Sequence, residues 1–306
     1  MAIIVTGASG HFGRRAAELL LAKIAPRELI LVTRNPAKLA DLAARGAQVR
    51  RGDFDDPASL PAAFAGGERL LLISTDKVGG GRPAQHGRAI DAAVRAGVRH
   101  IAYTSFVNVD QPGHPAISCG EHRGTEPLVK GSGVDWTILR DNQYSEAMAE
   151  FAAPAALASG KWVSCSAEGR VGFVSREDCV AAAVVVMTTT GHAGRTYNLT
   201  GPELLSFRDA ARLAAELGGR PVEYVDVDVE ARFQSWDALG VPRHITDDMS
   251  KSPVPWPSDE MVSFEVAIRD GFMALISDDV LHLTGRRPRS LRDVYLAHID
   301  KLRPPG

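Results

Sequence analysis

The chain opens on an apolar, β-branched run, Ile3-Ile4-Val5, and passes at once into Thr6-Gly7-Ala8-Ser9-Gly10-His11-Phe12-Gly13. Glycines at 7, 10 and 13, set between a strand and a helical pattern, leave few folds open. Gly7 permits a tight turn, Gly10 lets backbone approach a pyrophosphate, and Gly13 lets the next helix pack close to the sheet. A helix starting here offers unpaired N–H groups and the positive end of its dipole to phosphate. Such spacing is weak evidence alone, but its position after a strand and before a helix is the context that gives it meaning. Gly7, Ser9, Gly10, His11, Phe12 and Gly13 are therefore expected to hold the phosphates of a dinucleotide.

The rest of the first half repeats the unit. Apolar residues recur at helical spacing after the loop (Ala16, Leu19, Leu20, Ile24). Strand-like runs at 28–34, 47–54, 69–75, 98–105 and 135–140 alternate with helical patterns at 35–46, 55–66 and 88–97. This rhythm implies right-handed crossovers and a parallel sheet covered on both faces, a doubly wound α/β fold. Ligands in such folds sit at the carboxyl ends of the strands. The positions to inspect are Gly7, Arg34, Asp53, Ser74, Ser105 and Arg140.

The second half is less regular. Residues 169–189 read as a strand leading into a helix, 196–201 as a short strand, and 221–228 as a half-buried strand. Residues 206–219 form an amphipathic helical pattern with Ser206 as N-cap. Residues 229–306 look mostly helical, broken by the prolines of 252–257. No repeat, low-complexity tail or flexible linker is evident. We expect a dinucleotide-binding domain over 1–150, to which 170–200 return, and a smaller α/β lobe over 151–306 that mainly binds substrate and packs directly on the first.

The second strand ends in Val32-Thr33-Arg34-Asn35-Pro36-Ala37-Lys38, about 20 residues beyond the loop, where this fold meets the adenosine ribose. An acid here would bind a free 2′-hydroxyl. Arg34 instead suits a 2′-phosphate, with Lys38 one helical turn on. The expected cofactor is NADP(H) rather than NAD(H), with Asp53 and Phe54 flanking the adenine.

Charge excludes other classes. Thirty-five basic and 37 acidic side chains nearly cancel, so no nucleic-acid or anionic-membrane partner is called for. No run approaches the roughly 18 apolar residues of a membrane span, and no secretory pattern precedes the first strand. Cys119, Cys165 and Cys179 are widely spaced and form no metal or redox motif. They suit reduced thiols in a cytoplasmic protein.

Together, VTGASGHFG, VTRNPAK, GDFDDPASL, LLLIS, AGVRHIAYTS, ILRDNQYSE and YNLTGPELLSF resemble an NmrA-like atypical short-chain dehydrogenase/reductase. The chain is most similar to the quinone oxidoreductase type 2 and triphenylmethane reductase subfamily, from residue 2 to about 230 and loosely through 277–293. The resemblance implies a Rossmann domain with NADP bound, a smaller C-terminal lobe over the nicotinamide, and two-electron reduction of quinones or other conjugated skeletons. Carried over by position, Gly7 to Gly13 and Arg34 hold phosphates and Ser74 and Thr75 run beside the cofactor. Asn142, Gln143 and Tyr144 lie near the nicotinamide and substrate.

One segment departs from the wider superfamily. Where a carbonyl reductase carries Tyr-x-x-x-Lys, this chain has Glu121-His122-Arg123-Gly124-Thr125-Glu126. Three readings stay open: His122 as a general acid oriented by Glu126 on the same helical face, a helix-surface pair worth a few tenths of a kcal/mol, or half of a metal site. Hydride addition to a delocalised acceptor needs little proton assistance, so loss of the tyrosine argues against simple ketone reduction and epimerisation but not against quinone-type reduction. Tyr144 is a second candidate donor to substrate and Tyr103 an active-site wall or core aromatic. Trp236 and Trp256 are candidates for a flat aromatic pocket. The segment 106–120, with few apolar anchors, is a candidate lid or a plain surface loop, and 78–83 is a candidate mobile segment after a cofactor-facing strand.

The expected activity is NADPH-dependent hydride transfer to a quinone or similar electron-poor molecule, aromatic or quinonoid in character. A non-catalytic NADP(H)-binding redox sensor acting through protein partners, and a biosynthetic reductase of an aromatic or polyketide intermediate, remain alternatives. A homodimer is left open.

Overall fold

The computed structural model describes residues 1–77, 79–244 and 248–303. Its strands are β1 (Ile3–Val5), β2 (Leu29–Thr33), β3 (Gln48–Arg51), β4 (Arg69–Leu72), β5 (His100–Phe106), β6 (Asp135–Asp141), β7 (Lys161–Ser164), β8 (Arg170–Val171), β9 (Arg195–Leu199), β10 (Leu205–Ser206) and β11 (Glu223–Asp226). The helices of the first half are α1 (His11–Leu21), α2 (Ala40–Ala44), α3 (Leu60–Phe64), α4 (Arg82–Arg95) and α5 (Ile117–Lys130). Then follow α6 (Ser145–Ala147), α7 (Ala153–Ser159), α8 (Arg176–Thr188), α9 (Phe207–Gly218), α10 (Val229–Asp237), α11 (Ser258–Arg269), α12 (Asp279–Thr284), α13 (Leu291–Ala297) and α14 (Ile299–Leu302).

Seven strands form one parallel sheet in the order β3-β2-β1-β4-β5-β6-β9. Its central strands are continuous apolar runs because both faces are covered. On one face Ile3, Val5, Leu29, Leu31, Leu71 and Leu139 pack with Ala16 and Leu20 of α1 and Val180 and Val184 of α8. On the other, Ile4, Ile30, Val32, Leu70, Leu72 and Tyr103 pack with α3, α4 and Val129 of α5. The order turns back at β1, with β2 and β3 on one side and β4 onward on the other. The carboxyl ends there form the crevice in which such sheets bind ligands.

Strand β9 and helix α8 belong to this sheet layer, with α8 against α1. Helix α12 also joins that layer, through Val280. The other C-terminal elements close over a separate core of Met148, Leu157, Trp162, Phe207, Leu217, Ile268 and Tyr295. This lobe contains the parallel pair β7–β11 and the antiparallel pair β10–β8.

Local signals explain several boundaries. Ser206 caps α9 in a reciprocal capping box with Asp209. Helix α11 begins immediately after Pro257. Pro36 and Pro57 open short 3₁₀ turns, so the helical patterns at 35–46 and 55–66 yield only the five-residue α2 and α3. Helix α4 starts six residues before the apolar pattern at 88–97 because Pro83 suits a first turn. The loop expected over 106–120 is shorter, since β5 runs to Phe106 and α5 begins at Ile117. It is also well anchored, because Val107, Val109 and Ala116 are buried in the lobe's core. Among the described residues, no helix is long and apolar enough to cross a membrane.

Candidate functional site

The glycine loop leaves β1 between the ends of β2 and β4. Gly7 has φ +59°, a conformation that favours glycine. A Cβ on Gly13 would lie 2.4 Å from the Gly7 carbonyl oxygen and 2.8 Å from Ala8 Cα. The third glycine thus allows helix against loop backbone, a closer and more local contact than helix against sheet. Gly10 is the N-cap of α1, with no side-chain cap and no acid in the first turn. The helix start is left able to meet an anion. Ser9 Oγ lies 2.9 Å from Thr33 Oγ1, tying the loop to the end of β2. His11 is exposed, whereas Phe12 is buried in the core below α1 and acts as an anchor.

Arg34 follows β2 with its side chain 71% exposed, and its Nη2 lies 3.5 Å from Asp76 Oδ2 beyond the end of β4. Lys38 is exposed. Arg14 of α1 donates to the Lys38 carbonyl at 2.7 Å and pairs with Asp41 at 2.8 Å. It adds a third cation to this rim. Sequence reading missed it, although a basic residue in the first turn of α1 was a signal. Asp53 Oδ1 accepts from the Asp55 amide at 3.0 Å. The Phe54 ring meets His86 edge-on, with centroids 6.4 Å apart.

Past β4, the Ser74 amide donates to Thr104 Oγ1 at 2.9 Å and the Thr75 amide to His86 Nε2 at 3.1 Å. His86 Nε2 is therefore an acceptor, and its proton sits on Nδ1, 3.0 Å from Thr125 Oγ1. Burial, and then the nearby Arg82 charge, push the His86 pKa down to about 3. Thr75 Oγ1 donates to Gln85 Oε1 at 2.9 Å. In the 78–83 segment Val78 lies outside the described residues. Gly80 N–H donates to Glu121 at 2.5 Å and Arg82 Nε to the Lys77 carbonyl at 2.9 Å, so both sides of the turn are fastened.

His122 is buried under α5. Its Nε2 is 3.2 Å from Arg82 Nη1 and its Nδ1 is 2.7 Å from Tyr103 Oη. A guanidinium only donates, so Nε2 accepts and the Nδ1 proton goes to the Tyr103 oxygen. Burial, then Arg82, hold the imidazole pKa well below its ordinary value. Glu126 does not orient His122, contrary to the i,i+4 expectation. Its oxygens accept from Arg140 Nε and Nη2 at 2.8 and 2.9 Å, from Lys130 at 2.9 Å and from Ser105 Oγ at 2.8 Å. Burial opposes the Glu126 charge, but Arg140 and Lys130 outweigh it and its pKa falls. The Ser105 hydroxyl is thus turned to α5. Among the described residues, no cluster of ligands could hold a metal ion.

Asn142, at the exit of β6, is 2% exposed and donates to the Met273 carbonyl at 3.1 Å, while its Oδ1 accepts from the Gln143 amide at 2.8 Å. It pins the C-terminal lobe to the strand end. Tyr144 Oη donates to Asp141 Oδ2 at 2.5 Å. Burial raises the Tyr144 pKa well above the ordinary phenol range and lifts Asp141 to about 7. Among the described residues, Asp141 Oδ1 is buried with no hydrogen bond of ordinary geometry, and the buried Cys179 thiol is its polar neighbour. Sequence reading missed this acid, since a spacing of three across a strand exit is no recognised signal.

Tyr144 packs with the α1/α8 face and Tyr103, which holds His122, with the α3/α4/α5 face. The two candidate donors therefore belong to opposite sides of the sheet and form no joint constellation. The two tryptophans also have separate partners. Trp236 lies under Arg232 at 4.1 Å, and Trp256 meets Phe151 at 5.2 Å. What the structure does bring together is the glycine loop, Thr33, Arg34 and the segment 74–76.

Residues 7–190 match a family model described as NAD(P)H-binding. The chain is 35% identical to quinone oxidoreductase 2 of Escherichia coli over 252 residues, 82% of this chain and 87% of that one. Its fold matches the crystal structure of an NADPH-dependent quinone oxidoreductase of Escherichia coli complexed with NADPH, with TM-score 0.88, 32% identity and coverage of 96% of this chain and 99% of the other. It also matches a triphenylmethane reductase of Citrobacter sp., with TM-score 0.87, 30% identity and coverage of 98% and 100%. With the parallel sheet and the glycine loop at its first strand, these likenesses establish that the chain belongs to the NmrA-like NAD(P)H-binding family, in the subfamily of quinone oxidoreductase 2 and triphenylmethane reductase.

Proposed function

We propose that this protein is an NADPH-dependent reductase that transfers hydride to a quinone or another conjugated, electron-poor small molecule. The observation that carries the reading is the glycine loop, whose third glycine has no room for a Cβ and whose helix start is uncapped, with Arg34 beside it. The relatives' activities point the same way. The loop amides would hold the pyrophosphate, and Arg34, Lys38 and Arg14 are the cations placed for a 2′-phosphate. Ser74, Thr75 and the β6 exit would flank the nicotinamide half. NADPH, when bound, supplies the hydride.

The protein's own residues then position and exclude water. His122 Nδ1–H donates a hydrogen bond to Tyr103 Oη, and its Nε2 accepts one from Arg82. Tyr144 Oη donates its hydrogen bond to Asp141. Neither side chain is poised as an acid, which suits an acceptor whose new charge is delocalised and can take its proton from water. The free, buried cysteines fit a reducing compartment such as the cytoplasm.

The test is to mix protein, NADPH and a panel of quinones and cationic dyes and follow absorbance of the reduced nicotinamide. Consumption with at least one conjugated acceptor supports the reading. Tight NADPH binding with no consumption would favour a sensor.

A further inference from the structure

Arg34 has a competitor for the cofactor. Its only described ionic partner is Asp76, at 3.5 Å. The two residues follow β2 and β4, the strands on either side of β1. The pair therefore links the two strand ends that flank the glycine loop, across the place where the cofactor's adenosine end would lie. Asp76 is not a loose loop acid. Its neighbour Thr75 is fixed by His86 and Gln85, and its neighbour Lys77 by buried Arg82. Gly80, on the same turn, is fixed by Glu121. The exposed carboxylate is thus presented to Arg34 by a segment whose fastening side chains, Arg82, Gln85, His86 and Glu121, are buried.

Building on the NADPH reading, we propose that Asp76 is a specificity-determining residue: its carboxylate competes with the cofactor's 2′-phosphate for Arg34 and holds down the preference for the phosphorylated cofactor. A dinucleotide with a free 2′-hydroxyl has no anion to exchange for Asp76 and leaves the pair in place. The pair is exposed, with side chains 71% and 82% accessible, so its grip is modest and sensitive to salt.

The experiment is direct binding of NADPH and NADH to wild type, Asp76→Asn, Arg34→Ala and the double variant, at low and high ionic strength. Asp76→Asn should tighten NADPH about two- to fivefold at low salt, the range of an exposed pair, and leave NADH unchanged. The gain should shrink at high salt and vanish in the Arg34→Ala background. Unchanged or weaker NADPH binding, an equal change for both cofactors, or a gain that survives loss of Arg34 would overturn the assignment. Failure of the NADPH reading looks different: wild type would not prefer NADPH, or Arg34→Ala would leave the preference intact.

Discussion

Glu126 and Arg140 form a buried two-point ion pair, Nε to Oε1 at 2.8 Å and Nη2 to Oε2 at 2.9 Å, which joins α5 to β6. Losing Glu126 leaves the buried Arg140 guanidinium with exposed Asp110, at 3.1 Å, as its remaining described ionic partner, a poorer compensation for a buried charge. Glu126→Gln should therefore lower unfolding free energy by about 3 kcal/mol, measured by urea denaturation. The Glu126 pKa is depressed by these partners against the cost of burial. Its contribution is complete above the unfolded value of about 4.3 and is lost as pH falls through the folded value. The difference between wild type and Glu126→Gln should narrow below that point.

His122 is hydrogen-bonded to both Tyr103 and Arg82, and on the reading proposed above its role is to hold them in place. His122→Asn should keep kcat/KM for NADPH-dependent reduction within about threefold while losing about 1–3 kcal/mol of stability, the cost of leaving buried groups unpaired. A variant at least tenfold slower, yet as stable as wild type, would return His122 to the chemistry.

Asp141 acts in the opposite sense to Glu126. Burial raises its pKa to about 7, whereas an unfolded chain titrates it near about 4. The folded state holds this proton to higher pH, so stability falls as pH rises from about 4 to about 7. Asp141→Asn should remove that slope, with a relative gain at pH 8 of up to about 4 kcal/mol, from about three pKa units at about 1.4 kcal/mol each. Chemical denaturation at both ends of the range measures it.

Gly13→Ala would push a Cβ to 2.4 Å from the Gly7 carbonyl oxygen. Backbone must move, and the loop with it. NADPH affinity should fall at least about tenfold, or about 1.4 kcal/mol, read by titration of cofactor fluorescence. An unaffected affinity would place the cofactor elsewhere.

The parts legible in the sequence were those set by local chemistry. Gly7 and Gly13 answer backbone requirements that no other residue meets well, and Ser206 with Asp209 is a cap readable at a spacing of three. The alternation of strands and helices carried the sheet as far as β6. Contacts between distant segments left no such trace. Glu126 finds Arg140 fourteen residues away, and Arg34 finds Asp76 forty-two away. His122 and Glu126 share a helix, yet they turn to different partners in the sheet, so i,i+4 spacing misassigned their relation. The 106–120 segment looked unanchored because its few apolar residues are set in polar surroundings, but they fill the C-terminal lobe's core.

The most direct measurement is a single-turnover mix of protein and NADPH with a quinone such as 1,4-benzoquinone, following reduced-nicotinamide absorbance, with NADPH carrying deuterium at the transferred position as comparison. Hydride transfer to a conjugated acceptor predicts protein-dependent loss of the band with a slower rate for the deuterated cofactor. A band that persists across quinones and dyes, while NADPH remains bound, would contradict it.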